Sequence, residues 1–494
     1  MRRVQLLLII SLLVPIPALS QTGQDSPTLL TLEQALQVAL SENVSVKVSD
    51  KEIERAGYAR KGSYAALFPQ VDGNGAYQRT IKKQIMYMDG DGFDFSSMIG
   101  ESLAAYLMPL YAQHPGLTPP APSAPEEDTS GGNEGFAVGR WNTWSAGVSA
   151  SMPLVNAQLW KSLAISDKDV ELAVEKARSS RLETVTQVKQ AFFGVLLAKQ
   201  AFEVYKSVYE NALENVDLIE KKYRSQRASE LDLTRAKTTL ANAIPNVYDA
   251  ENAIMIALWQ LKAVMGMNLD ENIDVAGSLD DYAEHMFYDL NESASASLEN
   301  NSALRQLAIQ AEQLASSVKL QQYASLPSLA LGFSYSLNAM ANDFKFSEYQ
   351  WSPYSYVGLS LSIPIFAGGK RTQAVRQARV QAVELDLQRE NTERQLRIAI
   401  RQYLNTMDTA MKSYSSARSA VESAEKAYSI ASKSYNVGRS TLTDLNDAQL
   451  ALTQARLGVC QAVYNFVVAK ANLEGTLGAD FIDESGNVQL NKTY

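Results

Sequence analysis

A turn that runs straight into a helix occurs twice in this chain, 212 positions apart. Tyr223, Asp232, Leu233 and Ala236 in the first copy stand where Tyr435, Asp444, Leu445 and Ala448 stand in the second. A second phrase repeats as well: Asn43 through Phe68-Pro69 to Tyr77 returns as Asn301 through Pro327 to Tyr335, 258 positions later. Repetition of this kind means that one supersecondary unit is used twice. It overrides the prior of about three domains that the length alone suggests.

Each copy carries its elements in the same order. Leu32 to Leu40 has helical spacing behind Thr31 as N-cap, and Asn43 can cap a second helix running to about Leu67, where Phe68-Pro69 ends it. The stretches after the prolines alternate. Val71 to Thr80 is glycine-rich and weakly patterned, whereas Leu329 to Leu337 puts large apolar side chains on odd positions. Trp144, Ala146, Val148, Ala150 and Met152 alternate with Ser and Gly, as do Val357, Leu359, Leu361 and Ile363, and both runs end in proline, at Pro153 and Pro364. These are four strands of about nine residues, long enough to cross a bilayer when tilted. Alternation alone favours an ordinary half-buried sheet. Trp141, Trp144, Trp351, Tyr354 and Tyr356 crowd the strand ends, either as an interfacial aromatic girdle or as the filling of a sheet core.

The first copy holds a long insertion, residues 81–140, rich in Pro, Gly and acidic residues, which suits a solvent-facing hairpin tip. Asp89 to Asp94 lacks the ligand pattern of a calcium loop. After each strand pair come a very long proline-free helix, Ala157 to about Lys222 and Gly369 to about Ser434, the turn, and an antiparallel return, Ser229 to Val264 and Thr441 to Leu473. Pro245 is expected to kink or break the first return. A long helix of about 66 residues spans about 100 Å. The short helices before the strands and the returns together have nearly that length, so they are expected to stack end to end beside it. Gly266 to Glu299 and the tail after Gly478 are acidic and irregular, and would form a collar where the short helices abut.

Composition excludes several functions. Met1 to Ser20 reads as a secretory leader with cleavage before Gln21: Arg2-Arg3, an apolar run from Val4 to Val14, then Ala18-Leu19-Ser20. The run is shorter than the roughly 20 residues of a spanning helix. The whole chain carries a net charge of −9, which argues against nucleic acid as a partner. Cys460 is the single cysteine, so no intramolecular disulfide forms and no cysteine follows the leader to carry a lipid. With only His114 and His285, neither a metal centre nor a Ser-His-Asp arrangement is supported. No cofactor and no enzymatic activity are expected.

Four membrane-competent strands leave two bare edges, and each unpaired backbone group in hydrocarbon costs several kcal/mol. The smallest usual barrels have about eight strands. Copies must therefore combine.

On Leu32-Glu33-Gln34-Ala35-Leu36, Phe68-Pro69, the strands closed by Pro153 and Pro364, and both turn motifs, the chain resembles the TolC-like outer-membrane efflux (outer-membrane factor) family over nearly all its mature length. The resemblance implies a mostly α fold with transmembrane β: an internally duplicated chain giving four strands per protomer to a shared twelve-stranded barrel, above a long antiparallel coiled-coil tunnel. The implied domains are the leader 1–20, a first repeat 21–265, an equatorial linker 266–300, a second repeat 301–477 and an equatorial tail 478–494. The protein would be a homotrimer in the cell outer membrane, contacting outer-membrane lipid and extending into the periplasm. It would conduct drugs, metabolites or polypeptides from an inner-membrane transporter through a periplasmic adaptor (membrane fusion) protein.

The resemblance also assigns a gate. Asp444 and Asp447 match two aspartates that three-fold symmetry turns into acidic rings, Tyr435 matches a gate tyrosine, and Asp232 matches the carboxylate that ties it. The locking arginine of the family falls on Ser440, with Arg439 one residue early. Adaptor contact would fall on Gln226, Arg227 and Ala228 and on Gly438, Arg439 and Ser440. By their own chemistry, Asp444 and Asp447 share a helix face near its N-terminus, where the dipole favours negative charge. Plain helix capping explains a first-turn Asp equally well. The alternative to a duct is a periplasmic coiled-coil scaffold without a pore.

Overall fold

The computed structural model describes residues 27–86, 107–108, 136–284, 286 and 298–478. The leader, most of the 81–140 insertion with Asp89 to Asp94, and the tail beyond Gly478 lie outside the described residues. In chain order the elements are β1 (Thr28–Leu30), α1 (Leu32–Glu42), α2 (Val44–Ala65), β2 (Gln70–Arg79), β3 (Gln84–Met86), β4 (Phe136–Val138), β5 (Asn142–Val155), α3 (Ala157–Arg224), α4 (Glu230–Met265), β6 (Ile273–Val275), α5 (Leu279–Ala283), α6 (Ser302–Tyr323), β7 (Ser328–Ala341), β8 (Ser352–Ser362), α7 (Lys370–Asn436) and α8 (Leu442–Leu477). Contacts divide the chain into two units. One is helical, from Met1–Ser63, Trp160–Ala324 and Ala367–Tyr494; the other is a sheet unit, from Tyr64–Leu159 and Ser325–Phe366.

In the helical unit, α3 and α7 are 68 and 67 residues long. No proline interrupts either, and the exposed face of α7 carries ion pairs one turn apart, such as Glu393–Arg397 and Glu422–Lys426. Such pairs add only about 0.3–0.5 kcal/mol each; the packing partners of α7 matter more. It lies along α8 and α6. Contrary to the sequence expectation, Pro245 does not break α4, which runs unbroken for 36 residues. Pro245 and Ala241 are both exposed, so the carbonyl left without a donor faces water.

Short helices meet end to end beside the long ones, and the two junctions are built alike. Asn43 caps α2 by accepting from the Ser45 amide at 2.7 Å, while its own amide group donates to the Val264 carbonyl at the end of α4, 2.6 Å away. Asn301 caps α6 by accepting from Leu304 at 3.0 Å and donates to the Thr476 carbonyl at the end of α8, again at 2.6 Å. One side chain thus serves the donors of one helix and the orphan acceptors of the next. Gly266 and Gly478 end α4 and α8 in the left-handed conformation, φ 76° and 66°. A Cβ on Gly266 would stand 2.6 Å from the Glu42 carbonyl oxygen, and one on Gly478 would stand 2.2 Å from that of Asn300. Arg178 of α3 donates to the carbonyls of Asn300 and Gly478 at 3.2 and 3.3 Å, tying the second junction to the long helix.

The main core surrounds these junctions. Leu36, Phe192, Phe193, Leu261, Met407 and Phe466 are fully buried in it, and Phe193 meets Tyr282 edge-on at 5.0 Å. The segment after Gly266 is more ordered than its composition suggested: β6 pairs in parallel with β1, Thr28 opposite Ile273, and α5 opens with a capping box between Ser278 and Asp281. The core also holds charge. Lys189 lies 2.9 Å from Glu474, with side chains 1% and 10% exposed, and Lys470 is buried beside them. Burial pulls both ammonium groups below their usual value, against the pull of Glu474.

In the sheet unit, the order is β2-β5-β7-β8, all antiparallel, leaving β2 and β8 as edges. The strands have 10, 14, 14 and 11 residues, longer than alternation showed. Pro153 does not end β5; the strand continues to Val155 through an irregularity in its pairing with β7, the usual place for proline in an inner strand. Register sets Val148 opposite Tyr335, Ala150 opposite Phe333, and Phe333 opposite Val357, so the apolar residues of three strands share one face. That face is bare in the single chain: Val357, Leu359 and Leu361 are 70%, 66% and 62% exposed. At the sheet end, Tyr77 packs on Trp144 at 4.2 Å and Phe346 meets it at 4.7 Å, while Trp351, Tyr354 and Tyr356 stay exposed. Among the described residues, no helix is long and apolar enough to cross a membrane.

Three outcomes are expected in chemical denaturation of the detergent-solubilised protein. Gly266→Ala and Gly478→Ala should each cost at least about 1–3 kcal/mol, from strain at positive φ and displacement of the facing helix. Gly57→Ala, in α2 with nothing within 4 Å of its Cβ position, should instead gain about 0.5–1 kcal/mol. Glu474→Leu, which removes the carboxylate 2.9 Å from the buried Lys189 ammonium, should cost about 3–5 kcal/mol.

Candidate functional site

The two repeated turns come together in the helical unit. A small core of Ile219, Ala236, Tyr435, Leu442 and Leu445 joins the α3–α4 hairpin to the α7–α8 hairpin. Both turns close alike. The Arg227 amide donates to the Lys222 carbonyl at 2.7 Å, and the Arg439 amide donates to that of Ser434 at 2.8 Å. Each turn needs one residue at positive φ: Gly438, at 78°, in the second and Gln226, at 60°, in the first. Glycine adopts that conformation freely, whereas glutamine does so under strain.

The aspartates open the returning helices. Asp444 accepts from the Thr441 amide at 2.8 Å and from its hydroxyl at 2.7 Å, which holds its carboxyl below the usual aspartate value. Asp232 accepts from the Ser229 amide at 3.3 Å and from the Ser229 hydroxyl at 2.7 Å. Both therefore act as caps in the single chain. Asp447, one turn further along α8, is exposed and makes no ion pair among the described residues.

Tyr435 is 8% exposed. Burial, and then the nearby Asp232 carboxylate, raise its phenol above the usual value. The geometry gives no hydrogen bond between those two residues. Ser440 donates to the Ala431 carbonyl at 3.2 Å and so fastens its own hairpin. Arg439 is exposed and makes no ion pair among the described residues. Between the hairpins runs a groove of about 840 Å³ lined by Arg227, Ala228, Asp232, Arg235, Gly438 and Ser440, among others.

Sequence reasoning missed Lys222. Its ammonium donates to the Tyr435 carbonyl at 3.1 Å and lies 4.4 Å from the centre of the Tyr435 ring. Burial pulls it below the usual lysine value. The signal was present as a difference between the repeats, because the position equivalent to Lys222 in the second copy is Ser434.

The profile of the outer membrane efflux protein family matches residues 127–267 and 294–479. The outer membrane protein TolC of Escherichia coli K12 is 22% identical over 358 residues, covering 71% of this chain and 72% of that protein. The protein of the same name from Vibrio cholerae is likewise 22% identical over 358 residues, 70% of this chain and 80% of its own. Among solved structures, the Campylobacter jejuni CmeC outer membrane channel superposes with a TM-score of 0.66 at 18% identity, over 98% of this chain and 96% of that one. The Vibrio cholerae outer membrane protein VceC gives 0.64 at 15% identity, over 90% and 96%. This mostly helical chain therefore belongs to the outer membrane efflux protein family, whose members are transport channels of the outer membrane and not enzymes.

Proposed function

We propose that three copies of this chain form one duct through the outer membrane, open outside and gated at the hairpin tips in the periplasm. The observation that carries this reading is the sheet: four strands with both edges unpaired and an apolar face more than half exposed along β8. Such a sheet is unsatisfied in water and in lipid alike. Three copies pairing edge to edge supply twelve strands, enough to close a barrel whose apolar face meets lipid and whose Ser and Gly face meets water. Family membership supports the same reading. The like junctions at Asn43 and Asn301 and the like turns support a duplicated chain, with repeats 21–265 and 301–477, the linker 266–300 between them and the tail 478–494.

At the tips, three-fold symmetry would set Asp444 and Asp447 in acidic rings, where mutual repulsion and a narrow mouth favour bound cations. Exposed Gln226, Arg227, Gly438 and Arg439, with half-buried Ala228 and Ser440 beside them, would offer the surface for a periplasmic adaptor, which would bring an inner-membrane transporter to the duct. A pore-free periplasmic scaffold would leave the exposed face of β8 without a partner.

Charge placed on the two sheet faces tests the barrel. Leu359→Asp should lose membrane assembly, with a cost of about 2–4 kcal/mol on a lipid-facing site; Ser360→Asp, on the other face, should assemble as trimers and conduct. Equal tolerance of both, or a soluble monomer as the parent form, would sink the duct. In planar bilayers, Asp444→Asn with Asp447→Asn should lower cation selectivity and weaken block by multivalent cations at least tenfold.

A further inference from the structure

The apolar contact at the hairpin tips is small, so polar bonds across it decide how firmly the hairpins hold together. Among the described residues, two such bonds cross there: Lys222 to the Tyr435 carbonyl at 3.1 Å, and the Asn446 amide to the Thr239 hydroxyl at 3.3 Å. The second is long and joins two neutral groups. The first joins a cation to the C-terminal turn of α7, where the unpaired carbonyls concentrate the negative end of the helix dipole. The same ammonium lies over the Tyr435 ring, which adds a cation–π attraction. Asp217 pairs with the neighbouring Lys221. Asp232 is engaged by Ser229. Among the described residues, no carboxylate pairs with Lys222.

We propose that Lys222 is the latch between the two hairpins: its ammonium, bonded to the Tyr435 carbonyl and seated on the Tyr435 ring, holds the second hairpin against the first, and the tips part only when it is released. Arg439 has no part in this latch, and the Tyr435 hydroxyl is not needed for it. The role of the latch in conduction rests on the proposed gate, but the contact itself can be tested separately.

The test places spin labels on Arg224→Cys and Asn436→Cys, one in each hairpin turn, in the full chain in lipid. Cys460 stays in place, since it is buried and its thiol is pushed up to about 11, which keeps it from labelling. Lys222→Met should raise the separated population about tenfold, the combined effect of a charge-assisted hydrogen bond and a cation–π contact. Lys222→Arg and Tyr435→Phe should keep the parental distance, Tyr435→Leu should lengthen it, and Arg439→Ala should leave it unchanged. A Lys222→Met distribution that superposes on the parent overturns the latch, and so does an Arg439→Ala variant that opens as far. Single-channel conductance of the same variants separates the two ideas. Tips that part in Lys222→Met with conductance unchanged leave the latch standing and remove the gate.

Discussion

The helical unit depends on how two helix ends are made to meet. Most helices stop where their last carbonyls can reach water, but here the ends of α4 and α8 are buried against the starts of α2 and α6. The cost is met by a single asparagine at each junction, which caps one helix with its oxygen and satisfies the other with its amide. Gly266 and Gly478 make the approach geometrically feasible, since any side chain would collide with the facing backbone. The core then forms where four helix ends, two long helices and the β1–β6 pair converge. A buried Lys189–Glu474 pair within it adds little net stability against apolar replacement, yet penalises any register in which the partners are separated.

The sheet unit is governed by a different constraint. Its apolar residues are sorted to one face by register, and among the described residues β2 and β8 pair on one side only and the β8 side chains of that face stay exposed. The helical unit buries its own core, whereas the apolar residues of β8 stay exposed in the single chain.

The hairpin tips show how sequence identity and structural role diverge. Asp232 and Asp444 were conspicuous because they repeat, and each spends its carboxylate on a capping box. Lys222 was inconspicuous because it does not repeat, and it makes the charged contact between the hairpins. Comparison of the two turns for similarity passes over Lys222, because the equivalent position in the second turn is Ser434. Pro245 was misread for a related reason: a breaker is judged locally, but an exposed carbonyl that loses its donor is satisfied by water, and the helix continues.

By itself, the sequence determined the order of the long helices and the four main strands, the helix lengths to within a few residues, the caps at Thr31 and Asn43, the alternation of the strands, and the repeated turn and Asn-to-Pro phrases. Each of these is written in local spacing: a period of 3.6 or 2, a cap, a turn. The tertiary structure alone decided that β6 joins β1, that apolar residues of β5, β7 and β8 share one face, that Asn43 and Asn301 reach across to other helices, and that Lys222 rather than Arg439 touches Tyr435. These contacts join residues up to more than 200 positions apart. They follow from packing geometry, in which a shift of one residue or one rotamer changes the partner while leaving every local pattern intact.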